Sequence, residues 1–419
     1  MRVELITIGD ELLLGFTIDT NSAFLGRELA GLGIEIHRRT TVGDDRAAIA
    51  QAVREALDRA DGVITTGGLG PTSDDVTMEA VAAALGVELE RNEAIVARLE
   101  EIWRSRGRSE KLPPANLSQA MLPRGAIILP NNHGTAPGAF VERADKRWVA
   151  VLPGVPREMR EMFNGSVRDV LAARAPGGTV VRSLAVRTTG IPESRLPALL
   201  AELADGVDGM SLAYLPSVEG VDLRLTARGS RPAAADERLR AAARKLSARL
   251  EPYAYAEGTT DLAEVVLEAC RRAGRRLAVA ESCTGGMLGQ RLTAIAGSSE
   301  VFAGGVIAYD NEVKIELLGV DREQLERHGA VSEEVVTAMA TGAKRRFGVD
   351  VGVAVTGIAG PGGGSADKPV GTVWIAVATA DEIVARQLRL FGDRDEVRRR
   401  AAQAALDLVR RSSAGNLGT

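Results

Sequence analysis

Apolar positions in this chain fall into short strand-length runs separated by stretches with helical spacing. Residues 3–8 (Val3-Glu4-Leu5-Ile6-Thr7-Ile8) predict a strand that ends at Gly9-Asp10-Glu11. The pattern then predicts a helix over Asn21–Leu32 stopped by Gly33, a strand over Ile34–Thr41, a helix over Ala47–Arg59 and a strand over Gly62–Thr65. This βαβαβ rhythm predicts a parallel sheet with helices on both faces. Later in the same region Ala126–Leu129 and Ala139-Phe140-Val141 read as strands, and a helix opens near Pro156.

The rhythm changes over residues 176–256. Strands are expected at Thr179–Thr188, Met210–Tyr214 and Val221–Arg228, with a helix at Glu193–Leu203 and an Ala/Arg-rich helix from Arg231-Pro232 to about Leu250. Near Gly258 a third pattern begins. Leu262–Ala273 is amphipathic, with Leu262, Val265, Val266 and Ala269 on one face. Leu277-Ala278-Val279 is a buried strand and Met287–Leu292 a helix. Val301–Tyr309 is a strand, followed by a short helix after Asp310. Ser332–Phe347 is a helix capped by Ser332, and Val349–Val355 a buried strand. Val370–Thr379 and Ile383–Phe391 form a strand pair, Arg394–Arg411 closes the domain, and the tail Ser412–Thr419 is expected to fray. The expected fold class is multidomain α/β: a doubly wound N-terminal domain over residues 1–172, a small α+β domain over 176–256 and a C-terminal α/β domain over 258–415.

Composition narrows the function classes. A chain of 419 residues exceeds one ordinary core, and 45% hydrophobic with 26% charged residues is the balance of a globular protein. A formal net charge of −4 excludes a general polyanion binder. The Ala/Arg-rich middle helix also carries Asp236 and Glu237, so it reads as a solvated face, and direct nucleic-acid binding is not expected. Cys270 and Cys283 give neither a disulfide framework nor a zinc set. The N-terminus does not read as a signal peptide, and no apolar run approaches the ~18 residues of a membrane span. A cytoplasmic location is expected. Six lysines stand among 52 basic residues, so each lysine is a candidate for chemistry that arginine cannot do.

Two stretches carry the candidate chemistry. Thr66-Gly67-Gly68-Leu69-Gly70-Pro71-Thr72 follows a strand and leads to a helix expected to start near Thr72 or Ser73. Its glycines free backbone N–H groups for a phosphate, and the helix N-terminus adds to the anion site. Asp74 and Asp75 suit a divalent cation on that phosphate, or complement the helix dipole. Asn131–Gly138 and Leu152–Glu158 are further polar loops near strand ends, and His133 reads as a surface residue. In the C-terminal domain Ala280-Glu281-Ser282-Cys283-Thr284-Gly285-Gly286 lies at a strand-to-helix turn. Ser282 is a candidate nucleophile beside N–H donors that stabilise an oxyanion, or a helix cap. Cys283 is its rival, with a thiol pKa expected to fall at a helix N-terminus. His328 is the one histidine of this domain, placed to end a helix rather than to act as a base. Tyr309 and Lys314 lie five apart at a strand end, and a neutral lysine activates a serine. Thr356 and the run Gly357–Gly364, with Arg394, suit a substrate phosphate.

These motifs, in this order, resemble the competence/damage-inducible CinA family over nearly the whole chain. The match rests on Gly9-Asp10-Glu11-Leu12-Leu13, Asp19-Thr20-Asn21, Thr66 to Thr72 with Asp74-Asp75, Asn132 to Gly138, Leu152 to Pro156, Ala280 to Gly286, Tyr309 with Asn311 and Lys314, and Thr356 to Pro361. The resemblance implies a molybdopterin-binding-like N-terminal fold associated with metal-dependent hydrolysis of ADP-ribose, a KH-like middle domain and a C-terminal nicotinamide mononucleotide deamidase. It implies Ser282 as nucleophile, activated by Lys314 and Tyr309. It implies substrate contacts or supports at Cys283, Thr284, Gly285, Gly286, Ser299, Thr356, Gly357 and Arg394. In the N-terminal domain it implies ligand contacts at Asn21, Gly67, Gly68, Gly70, Thr72 and Asn132, with Mg, Mn or Co on Asp10, Asp74 and Asp75. No cofactor is expected for the deamidase, and a homodimer is. A pterin-binding module and a competence or DNA-repair interaction protein are the alternatives.

Overall fold

A computed structural model describes residues 1–107, 111–175, 177 and 180–413. Thr179, expected to open a strand, and the tail beyond Ser413 lie outside the described residues.

The first pattern gives Arg2–Ile8 (β1), Asp10–Leu13 (α1), Thr20–Gly31 (α2), Glu35–Val42 (β2), Arg46–Arg59 (α3) and Gly62–Thr66 (β3). Asp19 and Asp45 start α2 and α3 by accepting backbone N–H groups from Ser22 and Ala48. There follow Thr77–Leu85 (α4), Leu89–Arg91 (β4), Glu93–Ser105 (α5), Met121–Pro123 (β5), Ile127–Leu129 (β6), Gly138–Glu142 (β7), Trp148–Leu152 (β8), Pro156–Met162 (α6) and Arg168–Arg174 (α7). The sheet order is β2–β1–β3–β8–β7–β6. β2, β1, β3 and β8 are parallel, whereas β7 and β6 add an antiparallel edge. Alternate residues of each strand enter opposite cores: Ile6 and Val63 meet Val53 and Val81, while Leu5 and Ile64 meet Leu25 and Met159. Helices therefore cover both faces, as the sequence rhythm requires.

One boundary moves. The helix expected near Thr72 starts at Thr77. Asp75 holds the intervening chain in a turn, accepting from the Thr72 N–H at 2.9 Å and from its hydroxyl. The Thr77 hydroxyl then reaches back to the Gly67 carbonyl at 2.9 Å. Local side-chain bonds outcompete an earlier helical turn.

The middle region comprises Val180–Thr188 (β9), Leu196–Leu200 (α8), Gly206–Val207 (β10), Met210–Pro216 (β11), Val221–Ser230 (β12), Pro232–Arg249 (α9) and Ala254–Glu257 (β13). The sheet order is β10–β11–β12–β9–β13, with antiparallel pairing from β10 through β12 and between β9 and β13. The single helix expected over Glu193–Leu203 is broken into α8 flanked by 3-10 turns, and Ala201 takes a positive φ of 50° that no helix continues through.

The last region holds Leu262–Arg272 (α10), Leu277–Glu281 (β14), Met287–Thr293 (α11), Phe302–Ile307 (β15), Asn311–Leu318 (α12), Arg322–His328 (α13), Glu333–Phe347 (α14), Val351–Gly357 (β16), Thr372–Ala378 (β17), Ile383–Arg389 (β18) and Arg394–Ser413 (α15). The sheet order is β15–β14–β16–β17–β18, the first three parallel and the last two antiparallel. Val279, Val353 and Ile375 pack with Val266, Leu288 and Ala401 on one face; Ala280, Ala354 and Ala376 pack with Val335, Met339 and Leu318 on the other. The chain forms two compact units, Met1–Arg182 with Arg228–Asp236, and Ser183–Ala227 with Glu237–Thr419. Among the described residues no helix is long and apolar enough to cross a membrane.

Candidate active site

Parallel register brings the C-terminal motifs together. Glu281, the last residue of β14, is level with Ile307 of β15 and Val355 of β16. Ser282 therefore leaves the central strand between the turn carrying Tyr309 and the turn beginning at Thr356, and its N–H still donates to the Val355 carbonyl at 2.9 Å. The carboxyl ends of parallel strands are where open α/β sheets hold ligands. Gly285 and Gly286 both take left-handed φ, 60° and 95°, which lets the chain turn sharply from Ser282 into α11.

The N-terminus of α11 is not left free for an oxyanion, as the turn pattern predicts. Glu281, only 1% exposed, folds its carboxylate under the turn. Its Oε2 accepts from the N–H groups of Gly286 and Leu288 at 3.0 Å each, and its Oε1 from that of Gly289 at 2.8 Å. The N–H of Gly285 donates to Ser282 and that of Met287 to Thr284. Among the described residues, the N–H groups of Cys283 and Thr284 bond no backbone carbonyl. Sequence reasoning missed Glu281. Its signal was a carboxylate at the end of an apolar strand, directly before the serine.

Lys314 lies in α12 and is 1% exposed. Its Nζ donates to the carbonyls of Tyr309 (3.2 Å) and Asp310 (3.4 Å) and to Asn311 Oδ1 (3.5 Å). No carboxylate bonds it among the described residues. Burial pushes its pKa down, opposed by Asp310 and by the neighbouring Cys283 thiol. The other two lysines of this domain are engaged elsewhere: Lys344 Nζ donates to the Thr379 carbonyl and Lys368 Nζ to that of His328. Tyr309 is 62% exposed. Its backbone helps hold Lys314, whereas its hydroxyl accepts from Arg394 Nη2 at 3.0 Å. Arg394 also donates to the Gly360 carbonyl at 2.6 Å, joining the glycine run to Tyr309. One turn further along α15, Arg398 donates to the Thr284 carbonyl at 2.8 Å. Its position four residues after Arg394 was the available clue. Thr284 is fully buried, and its hydroxyl has no hydrogen-bond partner.

Cys283 is 5% exposed among Val279, Leu288 and Val355, and desolvation pushes its thiol up to about 12. Burial outweighs the helix terminus that was expected to lower it, which disfavours the thiolate. The Thr356 hydroxyl donates to the Ala330 carbonyl at 2.8 Å, which fastens β16 to the turn before α14. Gly357 is where β16 crosses β17, and a Cβ there would meet Val373 at 2.6 Å. Ser299 is exposed in the turn Ser298–Glu300 and bonds none of the residues around Ser282. His328 faces Glu334 at 3.3 Å.

In the N-terminal domain, Gly9, Gly67 and Gly154 follow β1, β3 and β8 at one edge of the sheet. Gly67 and Gly68 take positive φ of 111° and 64°, and a Cβ on Gly154 would lie 3.3 Å from the Gly67 Cα. Asn21 Nδ2 holds the Gly154 carbonyl at 2.7 Å, while its buried Oδ1 has no partner. Gly68 and Gly70 line a small cavity with Asp75, Met78 and Gln119. Thr72 is turned to Asp75. Asn132 is exposed and lines a separate cleft with His133 and Glu158, while Asn131 braces that loop through the Ala136 carbonyl and Glu158. The expected cation set does not assemble. Asp10 exchanges bonds with Asp44, each carboxylate taking the other's N–H, Asp75 closes its own turn, and Asp74 is exposed. Among the described residues no three His, Cys, Asp or Glu side chains converge on a metal position.

The fold defines a three-domain protein: an α/β domain with a glycine-rich turn, an antiparallel KH-like domain and an α/β domain that brings Ser282 and Lys314 to one end of its sheet. Comparison with known proteins agrees. Residues 4–173 match a probable molybdopterin binding domain, 183–256 the damage-inducible protein CinA KH domain and 259–413 the CinA C-terminal domain. A CinA-like protein of Gemmatimonas aurantiaca is 53% identical, covering 100% of this chain and 98% of its own. A putative competence-damage inducible protein of Desulforudis audaxviator is 44% identical, covering 98% of each. The crystal structure of protein CinA from Thermoplasma acidophilum, titled as of unknown function, is 36% identical over 40% of this chain and 97% of its own, with a TM-score of 0.38. The chain belongs to the CinA family.

Proposed function

We propose that the C-terminal domain hydrolyses the carboxamide of nicotinamide mononucleotide to the acid and ammonia by a serine–lysine mechanism. The observation that carries this reading is Lys314: a buried amine with a depressed pKa, held by neutral oxygens beside the turn of Ser282. A lysine whose pKa is lowered by burial is neutral more of the time than a solvated one, and so serves better as a general base. The Ser282 hydroxyl attacks the amide carbon, a C–O bond forms, and the hydroxyl proton passes to the neutral amine of Lys314. The oxyanion lies against the Cys283 and Thr284 N–H groups. The C–N bond then breaks, Lys314 returns the proton, and ammonia leaves. Water attacks the acyl-serine by the same base, releasing the acid. Arg394, which donates to the Gly360 carbonyl and the Tyr309 hydroxyl, is the proposed partner of the substrate phosphate. Family membership supports the substrate through resemblance.

The N-terminal domain is proposed to bind ADP-ribose, supported by the glycine turn and the unpartnered Asn21 oxygen. Hydrolysis there would need a cation set that Asp10, Asp74 and Asp75 do not form. The primary test is ammonia release from nicotinamide mononucleotide by the full chain. The reading expects turnover that is lost in Ser282→Ala and Lys314→Met; turnover unchanged in both sinks it.

A further inference from the structure

A sizeable cavity lies away from Ser282. It has a volume of about 480 Å3 and lies in the seam between the KH-like domain and the C-terminal domain. The loops around Ile191 and Gly220 form one wall, and β18, the segment after it and α15 form the other. Ile191, Pro192, Leu388 and Leu390 make the cavity mainly apolar. Volume, apolar walls and a domain seam are the usual attributes of a small-molecule site, for which ~300–1,000 Å3 is typical.

Two polar side chains in it are unfinished. Gln403 is 2% exposed. Its Oε1 accepts from Arg291 Nη1 at 2.8 Å, and because a guanidinium only donates, the amide orientation is settled. Its Nε2 is therefore turned away from Arg291, and it is buried with no partner. Arg400 Nε is likewise buried and unpartnered. An orphaned buried donor is costly, and a native structure keeps one for a reason. Both are donors, so the missing group is an acceptor.

Charge makes that acceptor an anion. The carboxylates of the cavity are already neutralised. Asp407 is held by Arg410 and Arg411 at 2.7 Å, and Glu219 by Arg187 at 3.3 Å. The Arg400 guanidinium instead stacks on Phe391, 4.1 Å from the ring centre. Phe391 is 72% exposed, so its ring keeps open surface beyond the face that Arg400 covers. We infer that this seam is a second ligand site, which takes a planar aromatic carboxylate: ring against Phe391 and the aliphatic wall, carboxylate on Arg400 and Gln403. The helix that carries Arg400 and Gln403 also carries Arg394 and Arg398 at the serine turn, so an occupant touches the same rigid element.

Sodium benzoate is the probe, titrated calorimetrically into the full chain. Saturable binding is expected, weakened at least tenfold in Gln403→Met and in Arg400→Met, and unchanged in Lys314→Ala. Benzyl alcohol, which keeps the ring and lacks the charge, is expected to bind at least tenfold more weakly than benzoate. Phe391→Ala replaces an exposed side chain, keeps the fold and should weaken benzoate, so the test survives if Gln403→Met fails to fold. Absence of saturable benzoate binding overturns the inference. So does binding that is lost in Lys314→Ala and kept in Arg400→Met and Phe391→Ala, which places the probe at the serine. Because Lys314 does not line this cavity, failure of either reading leaves the other standing.

Discussion

Glu281 offers the sharpest structural prediction. Its carboxylate accepts three backbone N–H groups at 2.8–3.0 Å in a site 1% exposed. Replacement by glutamine keeps the volume and one oxygen. That oxygen can stay on Gly286 and Leu288, but the amide NH2 then faces the Gly289 N–H, donor against donor. A buried donor stripped of its partner costs about 1–3 kcal/mol. At about 1.4 kcal/mol per factor of ten, local opening of the turn should rise roughly 5- to 150-fold. Amide hydrogen exchange of the segment Ser282–Thr293, followed by mass spectrometry, reads this directly. Glu281→Ala should lose all three bonds and exchange faster still. Amidase turnover should fall in both variants, because the turn that aims Ser282 loosens. Exchange in Glu281→Gln equal to the parent would refute the claim that this carboxylate holds the nucleophile turn.

Three further outcomes follow from the same geometry. Burial lowers the Lys314 pKa below the ordinary lysine value of 10.5, so kcat/KM should climb with pH along a limb centred below that value, and be lost in Lys314→Met. The sign for stability is set by the same shift: the folded state resists the proton, so stability rises with pH between the folded and unfolded lysine pKa values. The stability of the parent should therefore rise with pH relative to that of Lys314→Met, which lacks the titrating group, and parallel pH profiles of the two would contradict the depressed pKa. Cys283→Ala should keep turnover within a few-fold and cost about 1–2 kcal/mol of stability from its buried packing, and iodoacetamide should leave Cys283 unmodified in the native protein at neutral pH; rapid modification would show an accessible thiolate. Asn21→Ala should weaken ADP-ribose binding by about tenfold in calorimetry if its bare Oδ1 meets the ligand, and should also loosen Gly154; unaltered binding would remove Asn21 from the site.

Much of this was legible in the sequence because burial writes its own pattern. The runs Val3–Ile8, Leu277–Val279 and Val351–Val355 are apolar because both faces of a covered parallel sheet are buried, and the glycine-rich motifs mark where those strands end. The order of the strands was not legible. It is set by which helix faces pack, and it alone places Tyr309 and Thr356 on either side of Ser282. Side-chain bonds across short spans were also hidden. Asp75 turning back to Thr72 delays α4, and Glu281 turning under its own loop removes the donors that a helix N-terminus would otherwise offer. The Cys283 thiol shows the same limit: the sequence places it at a helix start, but only packing shows that desolvation dominates. Lysine scarcity singled out Lys314, which the fold buries, whereas the acidic residues of the first domain were grouped by sequence proximity, and Asp10 and Asp75 each bond locally while Asp74 stays exposed.

The central claim is that Ser282 carries the acyl group and Cys283 does not. Full-length protein should be mixed with nicotinamide mononucleotide, quenched in acid during the first turnover, and digested with trypsin. The peptide Leu277–Arg291 contains both residues, and fragmentation separates them. The account predicts an adduct equal to the substrate less ammonia, localised on Ser282 and absent in Ser282→Ala. An adduct on Cys283, or turnover with Ser282 unmodified throughout, would contradict it.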